Sequence, residues 1–381
     1  AKPLMGDEEK DAVLEVIDSG MIAQGPKVKA FEDAFAEMCG TPHAIATSSG
    51  TTSLHVALMA HGIGEGDEVI TTPFTFIASA NSILYVGAKP VFVDIDPVTF
   101  NIDPEAIAAA VTPQTRAILP VHLFGLPAEM DTIMGIAEAH DLVVIEDACQ
   151  AHGAEYKGKR VGSFGTGTFS LYPTKNITSA EDGMITTQDE AVAENCRVIR
   201  HHGMRRRYYH DELGFNYRMT DVHAAIGLAQ LGKLEKFNER RIANAQFLSE
   251  HLEGVITPTV PDDRRHVFHQ YTILSDRRDA IMEALSHAHI ASAIYYPVPL
   301  HRQPAFADAG GAFENNTPDF ENVLVGAGAG IRYKTPVGPL RLDVAFPLDR
   351  RRFFGPVVDG MQRQVFRDDA FQFYIALGQP F

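Results

Sequence analysis

Cysteine is scarce. Cys39, Cys149 and Cys196 are the three in 381 residues, and no two share a Cys-x-x-Cys spacing. That speaks against a disulfide framework or a thiolate zinc site and fits free thiols in a reducing compartment. No Cys-His-Asn arrangement makes Cys149, beside Asp147, a nucleophile. Basic charge is also short, with 33 Lys and Arg against 49 Asp and Glu, a formal net charge of −16. Nucleic-acid binding rests largely on Lys and Arg neutralising phosphates, so this balance argues against such a partner. The run Arg205–Arg207 reads as a local solvated or interface patch. No stretch approaches the roughly 18 apolar residues of a membrane helix. Ala1–Gly20 is charged and lacks the apolar centre of a signal peptide. A cytoplasmic protein without a metal is the expectation.

The length suits two domains, and a hydrophobic content of 45% suits a globular core. Asp7–Asp18 reads as an amphipathic helix with Val13, Leu14 and Ile17 on its apolar side, and Pro26–Met38 as a second helix. An α/β rhythm follows. Strands are expected at His43–Thr47, Glu68–Thr71, Pro90–Asp94, Ala117–Pro120 and Leu142–Glu146. Helices are expected at Ser53–His61, Ile77–Val86, Pro104–Val111 and Glu129–His140. Such alternation means βαβ units and a mostly parallel sheet covered on both faces. Downstream, Glu190–Gly203 and Asp221–Gly254 read as helical, with Gly214–Thr220 a loop between them. A smaller α+β unit would follow, with strands at His266–Ser275 and Ala291–Tyr296 around a helix at Arg278–His289.

Ligand sites in parallel sheets form at the C-terminal ends of strands. Three groups fall there: the turn Ser49–Thr51, the segment containing Phe76, and Asp147 after an all-apolar strand. Lys175 follows in a polar turn between two apolar runs, Phe169–Thr187 reading FSLYPTKNITSAEDGMITT. A lone lysine is usually a solvated charge, Asp147 alone could cap a helix, and Phe76 alone could be core. Together they match what pyridoxal phosphate requires: a lysine for the aldehyde, a carboxylate for the ring nitrogen, a helix N-terminus with a close-approaching glycine for the phosphate, and a flat side chain on the ring.

The words SSGTTSLHVAL, GDEVITTPFTFIASANSI, IEDACQAHGAEYKGKRVGSFG, FSLYPTKN and GFNYRMTDVHAAIGLAQL, among others from about Pro3 to Phe306, resemble the DegT/DnrJ/EryC1/StrS family. Those proteins are nucleotide-sugar aminotransferases of the aspartate-aminotransferase (type I) fold. The resemblance implies an α/β fold with a pyridoxal-phosphate-binding large domain over 1–235 and a small α+β domain over 236–307. It implies Lys175 as the internal aldimine lysine, Asp147 as partner of the pyridine nitrogen and Gln150 near the cofactor's O3′. Phe76 would lie on the ring, and Gly50, Thr51 and Ser170 at the phosphate. Asn216 would reach the phosphate of a neighbouring subunit in a homodimer. Tyr172, Tyr296 and His301 would lie near substrate. Dehydratases in the family carry histidine at the lysine position, so Lys175 favours transamination, with glutamate the expected donor. One departure is Glu181-Asp182-Gly183, where the family has Glu-Gly-Gly; Asp182 would tax a tight turn.

From about 308 to 381 the chain changes character. Leu340, Leu342, Val344 and Phe346 alternate with Arg341, Asp343 and Ala345, and Phe371, Phe373, Ile375 and Leu377 alternate towards Phe381. Ordinary strands completing the small domain would show the same pattern. The words GAGIRYKTPVGPLRLDVAFPLDR and DDAFQFYIALGQPF resemble the last strands of a BamA/TamA-type outer-membrane assembly barrel. The expectation is a chimera or fusion, with no membrane insertion, since three strands cannot close a barrel. The rival readings are an inactive chimera and a barrel fragment.

Overall fold

The computed structural model describes residues 3–306 throughout. Beyond them it describes the backbone of strands Gly326–Thr335, Gly338–Pro347, Phe353–Phe354, Gln364–Val365 and Gln372–Leu377. The chain divides into two compact units, Ala1–Arg302 and Gln303–Phe381.

In the first unit, two helices, α1 (Asp7–Ser19) and α2 (Pro26–Cys39), precede the α/β rhythm. The strands are β1 (His43–Thr47), β2 (Glu68–Thr71), β3 (Lys89–Phe92), β4 (Thr115–Ile118) and β5 (Val143–Asp147), then the short β6 (Glu155–Tyr156) and β7 (Lys159–Arg160), then β8 (Thr166–Ser170) and β9 (Gly183–Thr187). Seven of them form one sheet in the order β1-β9-β8-β5-β4-β2-β3. Only β9 runs against the rest, pairing antiparallel with β1 and β8, so the sheet is mostly parallel as the alternation predicts. Its crossover helices are α3 (Gly50–Ala60), α4 (Ala78–Tyr85), α5 (Pro104–Ala110) and α6 (Met130–His140). Apolar residues fill both faces: Ile70, Val144 and Phe169 lie on one, and Ile45, Ile145 and Ile185 on the other.

Helix α3 begins at Gly50 rather than Ser53. Ser49 supplies the cap: its Oγ accepts from Thr52 N at 3.1 Å, and Thr52 Oγ1 accepts from Ser49 N at 2.9 Å. The expected helix over Glu190–Gly203 ends at Ile199, as α7 (Glu190–Ile199), before a turn through Gly203 at φ 70° and a small hairpin. Asp221–Gly254 is two helices, α8 (Asp221–Leu231) and α9 (Leu234–His251). At the break between them Lys233 pairs with buried Glu9 of α1 at 2.7 Å. That polar docking, in which Gln230 also donates to Glu9 at 2.6 Å, turns Val16 inward. Leu14 and Ile17 stay 55% and 54% exposed, against the expected apolar face.

Two expected strands of the small unit do not form. Over 266–275 the backbone bonds go elsewhere: Val267 N donates to Gly125 O and Gln270 N to Phe124 O. Phe268 there has φ 43°, which no ladder accepts. Residues 291–296 are irregular as well; Tyr296 packs edge-on against Phe74 at 5.8 Å instead. The helix between them is α10 (Arg278–His287).

In the second unit, Gly326–Thr335 pairs antiparallel with Gly338–Pro347 over ten residue pairs, and Gln372–Leu377 pairs with the latter's other side. Leu340, Leu342, Val344 and Phe346 fall on these strands as their alternation predicts. Phe371, Leu348 and Phe381 lie outside the described residues.

Two polar constraints hold the sheet edge that matters. Glu146, 0% exposed, accepts from the backbone N–H of Gly162 at 2.7 Å, Phe164 at 2.9 Å and Gly165 at 2.9 Å, and from His122 Nε2 at 3.1 Å. Burial works to raise its pKa, but the His122 bond and the backbone N–H groups outweigh that and hold the carboxyl below its ordinary range. The second is Asp182, which does adopt a left-handed φ of 25°. Its buried carboxylate accepts from Ser179 Oγ at 3.0 Å and lies 3.0 Å from His223 Nδ1. Those two contacts offset the backbone cost that a glycine would avoid.

Replacing Glu146 by Gln leaves amide hydrogens facing backbone donors. It is expected to cost about 3 kcal/mol or more in urea unfolding. The Asp182 bond raises the pKa of His223 above its ordinary value, with burial opposing. A raised folded pKa stabilises fully below the unfolded value, about 6.5, and the gain is lost as pH rises through the folded value. The melting difference between parent and Asp182→Asn is therefore expected to be largest in mild acid and to shrink with rising pH.

Candidate active site

The sequence-selected residues meet at the C-terminal ends of the parallel strands. A cavity of about 620 Å³ opens there, with Gly50, Thr51, Phe76, Asp147, Gln150, Ser170, Tyr172, Lys175 and Tyr296 all in its wall. Asn216 and His301 are not in that wall. Asn216 pairs by a backbone bridge with His201, and His301 packs its ring 6.5 Å from that of Phe92.

Lys175 stands in a turn whose neighbours are tied down. Its N–H donates to Tyr172 O at 2.9 Å, and Thr178 Oγ1 and Ser179 N both donate to Leu171 O. The adjacent Asn176 is buried and donates to Asn238 Oδ1 of α9 at 2.7 Å and to Val267 O at 3.0 Å. Burial pushes the pKa of the Lys175 amine below its ordinary range, against the opposing pull of Cys149 and Asp147. A lysine shifted that way offers more of its neutral, nucleophilic form.

Asp147 ends β5. Its backbone is bracketed by Asp147 N to Pro120 O at 2.9 Å and His122 N to Asp147 O at 3.0 Å. Ser79 Oγ donates to its Oδ2 at 2.7 Å, and Cys149 N donates to its Oδ1 at 3.2 Å. The carboxylate is thus held in one orientation beside the cavity. Gln150 is likewise fixed. Phe124 N can only donate, and it does so to Gln150 Oε1 at 2.8 Å, which leaves Nε2 to donate to Tyr296 Oη at 3.1 Å. A second Nε2 hydrogen remains for a ligand. Burial and the charge of Asp147 push the Tyr296 hydroxyl up to about 12, with the Gln150 bond opposing, so the phenol stays protonated.

The first turn of α3 presents backbone N–H groups without helical carbonyls, the usual anion cradle. Gly50 is required there: a Cβ would sit 2.6 Å from Ser170 Cβ and 3.1 Å from Cys149 Sγ. Phe76 is 59% exposed, a flat apolar face at the cavity. These groups fit a phosphorylated pyridine aldehyde: an amine depressed by burial, an oriented carboxylate, an amide hydrogen, a phosphate cradle and a ring platform.

Several wall residues escape sequence reasoning. Ser79, Thr75, His269, Gln270 and Tyr295 also line the cavity. Thr75 lies in the bend before α4 and Ser79 in its first turn, and no local pattern marks either as part of a site. His269 and Gln270 sit on a segment whose sequence predicts a strand that does not form, so the directions of their side chains do not follow from it. Among the described residues no cluster of three or more His, Cys, Asp or Glu could hold a metal, and no helix is long and apolar enough to cross a membrane.

The chain resembles several known proteins. It is 50% identical over 303 residues to the pleiotropic regulatory protein of Geobacillus stearothermophilus, covering 78% of this chain and 82% of that one. It is 46% identical over 320 residues to the GDP-perosamine synthase of Caulobacter vibrioides, covering 81% and 86%. Among solved structures, S. venezuelae DesV in complex with a ketimine intermediate superposes with a TM-score of 0.77 at 40% identity, over 79% of this chain and 82% of that one. The Omp85 superfamily domain matches residues 288–381, overlapping the end of the longer match. That longer match, to the DegT/DnrJ/EryC1/StrS aminotransferase family, spans residues 3–325. The chain belongs to that family of pyridoxal-phosphate-dependent sugar aminotransferases.

Proposed function

We propose that the chain transfers an amino group from an amino acid, with glutamate as donor, to a keto carbon of a nucleotide-linked sugar. One observation carries the reading: a single cavity collects Lys175, Asp147, Gln150, Phe76 and the N-terminus of α3 from four separate stretches of the chain. The similarity to a GDP-perosamine synthase supports a nucleotide-linked substrate.

When bound, pyridoxal phosphate supplies an electron sink for negative charge developing at the substrate carbon. Lys175 is the residue assigned to bond its aldehyde carbon and then to carry a proton to and from the substrate carbon. Its depressed pKa suits both tasks. Asp147 keeps a proton on the ring nitrogen. Gln150 would offer its remaining Nε2 hydrogen to the ring oxygen, Phe76 would pack on the ring, and Gly50, Thr51 and Ser170 would hold the phosphate. Tyr172 and Tyr296 would serve the sugar side, while His301 lies outside the cavity wall. Asn216 is assigned to the phosphate of a second copy in a homodimer, and the exposed Leu14 and Ile17 of α1 are available to such a contact. The dehydratase alternative requires histidine where Lys175 stands.

The segment from residue 308 onward is read as barrel-type strands joined to the aminotransferase. Its long antiparallel register and the Omp85 match support that reading.

Lys175→Ala is expected to abolish the visible band that pyridoxal phosphate acquires on bonding to the protein. It should also lower turnover of a nucleotide-linked keto sugar by about a thousandfold or more. A variant that keeps the parent spectrum would remove Lys175 from its assigned role.

A further inference from the structure

The carboxylate of Asp147 does not reach the cavity as a free acceptor. It is the end of a buried hydroxyl chain. Ser79, in the first turn of α4, donates its one hydrogen to Asp147 Oδ2 at 2.7 Å, because an ionised carboxylate only accepts. Thr75 Oγ1 lies 3.1 Å from Ser79 Oγ. With the Ser79 hydrogen already committed, Thr75 is the donor in that pair. The other carboxylate oxygen takes the N–H of Cys149 at 3.2 Å. Thr75, Ser79 and Asp147 are all buried, and all three line the cavity. In such surroundings successive hydrogen bonds reinforce one another, so the chain through Thr75 and Ser79 holds the carboxylate in one orientation.

We propose that Ser79, backed by Thr75, is a positioning residue for Asp147. It fixes which carboxylate lone pair faces the ring nitrogen of the cofactor and so sets how firmly that nitrogen keeps its proton. The proposal rests on the assignment of Asp147 to the ring nitrogen. Ser79 touches neither substrate nor cofactor in this account.

The test is pyridoxal phosphate binding and the pH titration of its visible band, in the parent chain and in Ser79→Ala, Ser79→Thr, Thr75→Val and Asp147→Asn. A hydrogen bond to a charged group is worth roughly a ten- to hundredfold effect. Ser79→Ala is therefore expected to weaken cofactor binding by about that factor. It should also raise the pH midpoint of the band, because a ring nitrogen that keeps its proton less firmly draws less charge from the Lys175 linkage. Ser79→Thr restores the hydroxyl and is expected to behave as the parent. Thr75→Val should shift the midpoint the same way by less, and it carries the test alone if Ser79→Ala does not fold. A Ser79→Ala protein that binds and titrates as the parent overturns the proposal, as does Ser79→Thr that behaves like Ser79→Ala. If Asp147→Asn also leaves both readings unchanged, the assignment of Asp147 fails instead.

Discussion

Glu146 is a charge with no water to face, at the end of the central strand of a large sheet. Three backbone N–H groups from Gly162, Phe164 and Gly165 and the imidazole of His122 meet it. Leaving such a carboxylate unpaired would cost several kcal/mol, so the turn over 162–165 and the segment around His122 are obliged to close on it. His122 in turn accepts from Ala128 N at 3.0 Å, which assigns it the neutral tautomer with Nε2–H towards Glu146. The next residue is Asp147. Its position is therefore set by an electrostatic requirement one residue upstream, and the cavity inherits that precision.

From that anchor the site assembles by topology. Parallel strands bring β1, β2, β5 and β8 to one edge, and the residues that follow each strand supply the cradle, the ring platform, the acid and the lysine turn. Burial pushes His152 and His266 down to about 3, and His269 well below its ordinary value. Burial favours the neutral form of these imidazoles and of the Lys175 amine alike. The chemistry then falls to a few groups with fixed orientations, which is what preorganisation for charge developing at a bound cofactor requires.

Much of this was legible in the sequence where local pattern and tertiary role coincide. The bounds of β1 and β2 follow from apolar runs punctuated by turn residues, and Lys175, Asp147, Gly50 and Phe76 follow from the needs of one cofactor. Legibility failed where side-chain chemistry overrides periodicity. Leu14 and Ile17 have helical spacing, but the buried Glu9 contacts choose a different face. Segments 266–275 and 291–296 are rich in β-branched and aromatic residues, yet their groups serve the Leu123–Gly125 turn and the cavity wall. Ser79 looked like one more helix residue, because nothing local reveals that its hydroxyl ends on a carboxylate 68 positions away.

The central claim is that Lys175 carries the cofactor in the cavity of Asp147. The most direct measurement is borohydride reduction of the cofactor-loaded chain followed by peptide mass mapping. The account predicts a single pyridoxyl group on the peptide containing Lys175. Its recovery on any other lysine, with Lys175 unmodified, would contradict it.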